Sequence, residues 1–320
     1  MIRSFIAATL LTTPVWAETP RVMTDIAPVH SLVALVMGDL GAPDLLLSPG
    51  ADPHDFALRP SDAQALGDAD IVFWVGEGLT PWLGQPLETL AGGATHVSLL
   101  DTEGWTRLDI RAAGNHDHGH DEHKDEAHYD HGHDDHDHGD AHAHDHGDFD
   151  PHAWTDPAVA QVWVAAIADA LAAADPENAA TYAANAKTAV TALAELDEEI
   201  AISLEGLADR AYVLPHDGYQ YFETRYGLAA QASISGIDAA TPGPAQIAEI
   251  RDQMADQGVV CVFSDAEIGE RWASLVIEGT DARTAQIDAV GSGLEAGPDL
   301  YRQMMLRLAS DFDTCLRGEG

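Results

Sequence analysis

Between Asp175-Pro176 and Leu204 an apolar stripe falls at Tyr182, Ala186, Ala189, Leu193, Leu196, Ile200 and Leu204. Steps of four and three keep all of them on one side of a helix. Nearly 30 residues at ~1.5 Å each make a rod of about 45 Å. Such a rod is long enough to cross more than one lobe, and it must bury one face along its whole length.

On both sides of this rod, short apolar runs alternate with helical segments. Before it, strands are expected over 21–26, 44–48, 71–75 and 96–100, with helices over 29–37, 60–68 and 80–90. An Ala-rich helix over 157–174 leads into the rod. After it, strands are expected over 211–214, 228–234, 259–264 and 284–287, with helices over 219–226, 244–257, 268–279 and 300–316. Buried runs separated by helices predict βαβ units and a parallel sheet. The fold class is therefore α/β: two parallel-sheet lobes joined by one long rigid helix. With 320 residues there is room for both. The expected divisions are a leader at 1–17, an N-terminal lobe at 18–156, a helical region at 157–205 and a C-terminal lobe at 206–320.

The stretch 112–149 breaks the pattern. It holds 12 of the 17 histidines, namely His116, His118, His120, His123, His128, His131, His133, His136, His138, His142, His144 and His146. With 12 Asp/Glu and few large apolar residues, it cannot bury enough surface to offset its ordering entropy. It is expected to be a disordered insertion that binds zinc weakly at several places. The formal net charge is −39, and only −11 of it lies in this tract. Such acidity argues against nucleic acid or an anionic membrane as a partner, and it suits a cationic ligand.

Residues 1–17 resemble an export leader, with Arg3, an apolar run from Phe5 to Trp16, and a small-residue site that places cleavage after about Ala17. No cysteine stands directly after that site, so no lipid anchor is expected, and no later apolar run reads as long enough for a membrane span. A soluble, exported protein results, in the simplest case periplasmic. Cys261 and Cys315 would then lie in an oxidising compartment, where one disulfide is the default. It would contribute roughly 4 kcal/mol on the chain-entropy account.

Five histidines lie outside the tract: His30, His54, His96, His152 and His216. Three of these follow a proline, in Asp52-Pro53-His54, Asp150-Pro151-His152 and Leu214-Pro215-His216, and each falls at the edge of a strand or helix. A lone loop histidine is more often a hydrogen-bonded structural residue than a ligand. Three at matching junctions reverse that expectation, because ligands of open parallel sheets bind at strand carboxyl ends. His30 and His96 lack the context. Asp288, after the strand at 284–287, is the candidate fourth ligand. Three imidazoles and a carboxylate suit tetrahedral Zn²⁺ in the cleft between the lobes. Copper(II) fits by ligand type, while manganese and magnesium prefer more oxygen.

These residues sit in longer motifs. They are Gly50-Ala51-Asp52-Pro53-His54-Asp55-Phe56, Arg59-Pro60-Ser61-Asp62, Pro151-His152-Ala153-Trp154-Thr155-Asp156-Pro157, His216-Asp217-Gly218-Tyr219-Gln220-Tyr221-Phe222, Cys261-Val262-Phe263-Ser264 and Asp288-Ala289-Val290-Gly291. In kind, order and spacing they resemble the periplasmic zinc-binding component of bacterial zinc-uptake ABC transporters, the ZnuA-type branch of the metal-binding solute-binding proteins. The resemblance covers essentially the whole mature chain. It implies His54, His152 and His216 as metal ligands, Asp288 or water as the fourth, a Cys261–Cys315 disulfide and a membrane permease as partner. Some zinc members carry a glutamate before the first histidine, and here that residue is Pro53. The implied role is capture of Zn²⁺ by a monomer that is not an enzyme. Rival readings are a manganese-binding protein of the same architecture, a zinc buffer or metallochaperone without a permease, and an exported zinc hydrolase. For the hydrolase, no HExxH or nucleophile elbow is present. Histidine ligation also implies that affinity falls as pH drops through about 6.5.

Overall fold

The computed structural model describes residues 19–48, 50–111 and 149–318. The expected leader and all twelve histidines of the acidic tract lie outside them. Phe149, the last tract residue by sequence, is described and forms an antiparallel bridge with Asp109.

The first lobe holds β1 (Val22–Thr24), α1 (Ala27–Met37), β2 (Asp44–Leu45), α2 (Pro60–Asp68), β3 (Ile71–Trp74), α3 (Gly84–Leu90) and β4 (Thr95–Ser98). The strands are all parallel, in the order β2-β1-β3-β4. Then come α4 (Pro157–Ala174), a 3-10 turn at Pro176–Asn178 and the long helix α5 (Ala179–Ser203). The second lobe holds β5 (Tyr212–Leu214), α6 (Gln220–Tyr226), β6 (Ala232–Ser233), α7 (Pro244–Gln257), β7 (Cys261–Ser264), α8 (Glu270–Val276), β8 (Arg283–Gln286) and α9 (Leu300–Arg317). Its strands are also parallel, in the order β6-β5-β7-β8. The second sheet thus repeats the topology of the first. In each, the winding reverses between the first and third strands, so each lobe has one switch point where a crevice opens at the strand carboxyl ends.

Local chemistry sets the helix ends. Pro60 and Pro157 occupy first-turn positions where a missing N–H costs nothing. The Asp156 carboxylate accepts from Ala158 N at 2.7 Å and caps α4. α7 stops at Gly258, whose φ of +65° suits glycine. In two elements that are shorter than expected, a buried carboxylate shapes the adjoining turn. The strand expected over 228–234 shrinks to two residues because 228–231 curls around Glu223, which accepts from Ala230 N at 2.6 Å. The helix expected from 268 starts at Glu270 because Asp265 accepts from Ile268 N at 2.8 Å and holds a turn there.

All seven apolar residues of the stripe are buried. α5 packs on α1 and α4 of one side of the molecule and on α9 of the other. One apolar core therefore runs from Val22 in β1 through Leu193 in α5 to Leu316 in α9. A smaller core, including Val213, Ile250 and Val276, lies under α7 and α8. A shared core of this kind resists hinge-like separation of the lobes. The Cys261–Cys315 disulfide is formed and ties β7 to α9. One expectation needs correction. α4 has 18 residues and a mean hydropathy of 1.5, so by length and composition it could cross a membrane. Its apolar character has another use here: Trp163, Val164, Ile167 and Leu171 are all fully buried in the core.

Candidate metal centre

His54, His152 and His216 are brought together from three separate junctions. One ring nitrogen from each lies within 4.8 Å of the others. Ring centroids are 5.3 Å apart for His54–His152 and His152–His216, and 6.5 Å for His54–His216. All three are buried. The other two isolated histidines are elsewhere and bond to backbone carbonyls, His30 Nε2 to Pro43 O at 3.0 Å and His96 Nε2 to Ala91 O at 2.8 Å.

The loops that carry His54 and His152 use one device twice. In Asp52-Pro53-His54 and Asp150-Pro151-His152 the aspartate accepts the backbone N–H of the histidine two residues on, at 2.8 and 2.9 Å. The proline between them fixes φ, so each Asp-Pro-His forms a rigid turn. Trp82 Nε1 donates to Pro53 O at 2.8 Å and pins the first loop. Trp154 Nε1 donates to Ala289 O at 2.7 Å and ties the second to the opposite lobe. Asp150 does a second job, since its Oδ1 also accepts from His152 Nδ1 at 2.8 Å. Complete burial pushes the Asp150 carboxyl up to about 7, against the His152 N–H bond and the charges of Arg111 and His216.

His216 has no aspartate two residues before it. Its orienting carboxylate comes from Asp265, which follows β7, at 2.7 Å from Nδ1. His216 follows β5, so the pair spans the switch point of the second sheet. In both histidine–carboxylate pairs Nδ1 faces the acid, which turns Nε2 toward the cluster and raises its basicity. Burial opposes a charge on His216. The charge of Glu267, the hydrogen bond and charge of Asp265 and the charge of Asp217 outweigh it and push the imidazole up to about 9. Burial likewise opposes the Asp265 charge, but the His216 bond and charge hold that carboxyl below its usual range.

Gly218 makes the convergence possible. A Cβ built there would fall on His216 Nε2 and lie 3.0 Å from His152 Cδ2. The His216-Asp217-Gly218 backbone folds so closely over the rings that only a hydrogen fits.

Asp288 lines a small cavity of about 20 Å³ together with His152, His216, Asp265 and Glu267. That volume is about the room one water needs. Asp288 is not among the donors that cluster within 4.8 Å of one another. Its Oδ1 accepts from Val290 N at 3.0 Å and Gly291 N at 2.8 Å, which shapes the loop after β8. Glu267 joins His216 and Asp265 in a second cluster of donors. The sequence reading missed Asp150, Asp265, Gly218 and Glu267. The repeated Asp-Pro-His was a usable signal for Asp150, and an acid just past a buried strand was one for Asp265. Nothing in the sequence marks the contact at Gly218.

Two parallel-sheet lobes on a shared helix, with donor side chains converging between their strand ends, define a two-lobed ligand-binding protein with a cation-sized centre. Residues 22–315 match the family described as zinc-uptake complex component A, periplasmic, and the chain belongs to that family. It is 44% identical over 306 residues to the high-affinity zinc uptake system protein ZnuA of Paracoccus denitrificans, a match covering 95% of this chain and 94% of that one. It is 40% identical over 308 residues to the ZnuA protein of Brucella abortus, covering 93% and 92%. A crystal structure of ZnuA superposes with a TM-score of 0.74 over 93% of this chain and all of that one. At 18% identity, that likeness speaks to the fold.

Proposed function

We propose that this chain captures Zn²⁺ in the periplasm and delivers it to the membrane permease of an ABC importer. His54, His152 and His216 are the ligands on this reading, and the family resemblance offers Asp288 or water for the fourth position. The observation that carries it is the convergence of three buried imidazoles in a member of a zinc-uptake family. Zn²⁺ is cargo here, so tight capture without chemistry is the task. Neutral imidazoles bind it at about 2.0–2.1 Å. Rings already held by Asp150 and Asp265 lose little freedom on binding, which favours affinity. The shared core along α5 limits how far the lobes move on release.

The twelve histidines at 116–146 serve as an accessory collector, and residues 1–17 as an export leader removed after about Ala17. Division of the chain at 156 and 206 belongs to the same reading. Metal competition titration tests it. Wild type should hold one tight zinc, His54→Ala should lose that site, and deletion of 116–148 should keep it while removing weak sites. Loss of the tight site on deletion of 116–148 would overturn the assignment.

A further inference from the structure

We propose that Glu267 is the fourth ligand of the histidine trio and closes the site around a four-coordinate cation. This rests on the reading that the trio binds the metal. The side chain lies in the turn between β7 and α8 and is 13% exposed. Its Oε2 is buried and accepts no hydrogen bond among the described residues. A buried carboxylate oxygen without a donor is costly, and a cation would satisfy it.

The geometry points to the ion that would do so. Glu267 Oε2 lies 3.6 Å from His216 Nε2, the nitrogen that Asp265 leaves open. That is too long for a hydrogen bond. Two ligands on one tetrahedral Zn²⁺, each at about 2.0–2.2 Å, stand about 3.3–3.6 Å apart. The pair is thus spaced as one edge of such a tetrahedron, to within a few tenths of an ångström.

The neighbouring carboxylates are already engaged. Both oxygens of Asp265 are used, by Ile268 N at 2.8 Å and His216 Nδ1 at 2.7 Å. Asp52 Oδ1 holds His54 N, and Asp288 Oδ1 holds the turn at Val290 and Gly291. Glu267 alone of these four offers a buried oxygen at the cavity wall that accepts no hydrogen bond among the described residues. Three neutral imidazoles and this carboxylate leave no open position for a reactive water. They also disfavour cations that want six oxygen-rich ligands, such as Mn²⁺ and Mg²⁺.

Cobalt(II) tests this as a spectroscopic stand-in for zinc, because its visible bands report coordination number and ligand set. The full chain would be loaded with one equivalent of Co²⁺ so that the tight site dominates. Glu267→Gln keeps the shape of the side chain and removes its charge. It should change the Co²⁺ spectrum and weaken Zn²⁺ binding by 10- to 100-fold in chelator competition. Glu267→Asp, too short to reach, should reproduce both effects and guards against misfolding of a single variant. Unchanged spectra and affinities in both variants would overturn the proposal. His54→Ala separates the two levels. Retention of the tight site there sinks the trio itself, whereas its loss beside an unaltered Glu267→Gln sinks only the fourth ligand.

Discussion

Arg111 holds Asp217, the residue next to His216. Its other arm donates to Glu223 Oε2 at 2.8 Å. The guanidinium comes from the stretch after β4, whereas both acids belong to the second lobe. Glu223 is in turn held by Tyr212 Oη and Ala230 N, each at 2.6 Å. Burial opposes the Arg111 charge, but Glu223 and Asp217 outweigh it and raise its pKa further. The loop carrying His216 is therefore clamped to the chain segment that leads into the histidine tract.

Arg111→Ala would leave Asp217 and Glu223 facing each other in a site where both are nearly buried. Removing one partner of a buried ion pair costs about 3–5 kcal/mol. Urea unfolding at neutral pH should show a loss of that order, with Arg111→Lys in between. A loss under ~1 kcal/mol, the scale of an exposed pair, would mean that the clamp adds no stability.

Gly218→Ala is expected to damage the centre more than the fold. The added methyl collides with the His216 ring and crowds His152. The rings are held by Asp265 and Asp150, so they can move aside only by giving up those bonds. Zinc affinity should fall at least ~10-fold, the scale of a lost orienting contact, while far-UV circular dichroism stays near wild type. Native affinity in this variant would contradict the close approach.

Much of this was legible in the sequence. The apolar stripe from Tyr182 to Leu204 gave the rod and its buried face, because helical periodicity is a property of the chain itself. Pro60 and Pro157 marked helix starts through their missing N–H. Pro-His junctions led to the trio, since proline restricts the chain locally. What stayed hidden depends on residues far apart in sequence. Asp265 meets His216 only because β5 and β7 are neighbours in the sheet. Glu223 reshapes 228–231 through a tertiary contact that no local pattern encodes. Gly218 looks like any loop glycine until the two imidazoles are placed above it.

Asp265→Asn tests an orienting carboxylate without replacing any of the three histidines. Asp265 accepts on both oxygens, from His216 Nδ1 and from Ile268 N. Asparagine keeps one acceptor and turns the other into a donor, so one of these N–H groups faces an NH₂. Losing such a partner typically lowers metal affinity 10–100-fold. Isothermal titration against a competing chelator measures it. Equal affinities for wild type and Asp265→Asn would show that the His216 ring is held by packing alone.

The dependence of zinc binding on pH should begin well above the ordinary imidazole range. An unperturbed histidine titrates near 6.5, whereas neighbouring acids push His216 up to about 9. Near pH 8 the metal-free protein therefore carries a proton on His216, and zinc needs that nitrogen free. Binding must release the proton, so lowering the pH favours the metal-free form and weakens affinity. The slope should approach ~10-fold per pH unit below about 9. It should steepen below about 7, where Glu267, pushed up by burial, also holds a proton in the metal-free state. Titrations at pH 8 in buffers of different ionisation enthalpy count the protons directly, and close to one per zinc is expected. Asp265→Asn removes one source of the shift and should lower that count. A count near zero in wild type at pH 8 would mean that His216 is already neutral and that Asp265 and Glu267 do not govern it.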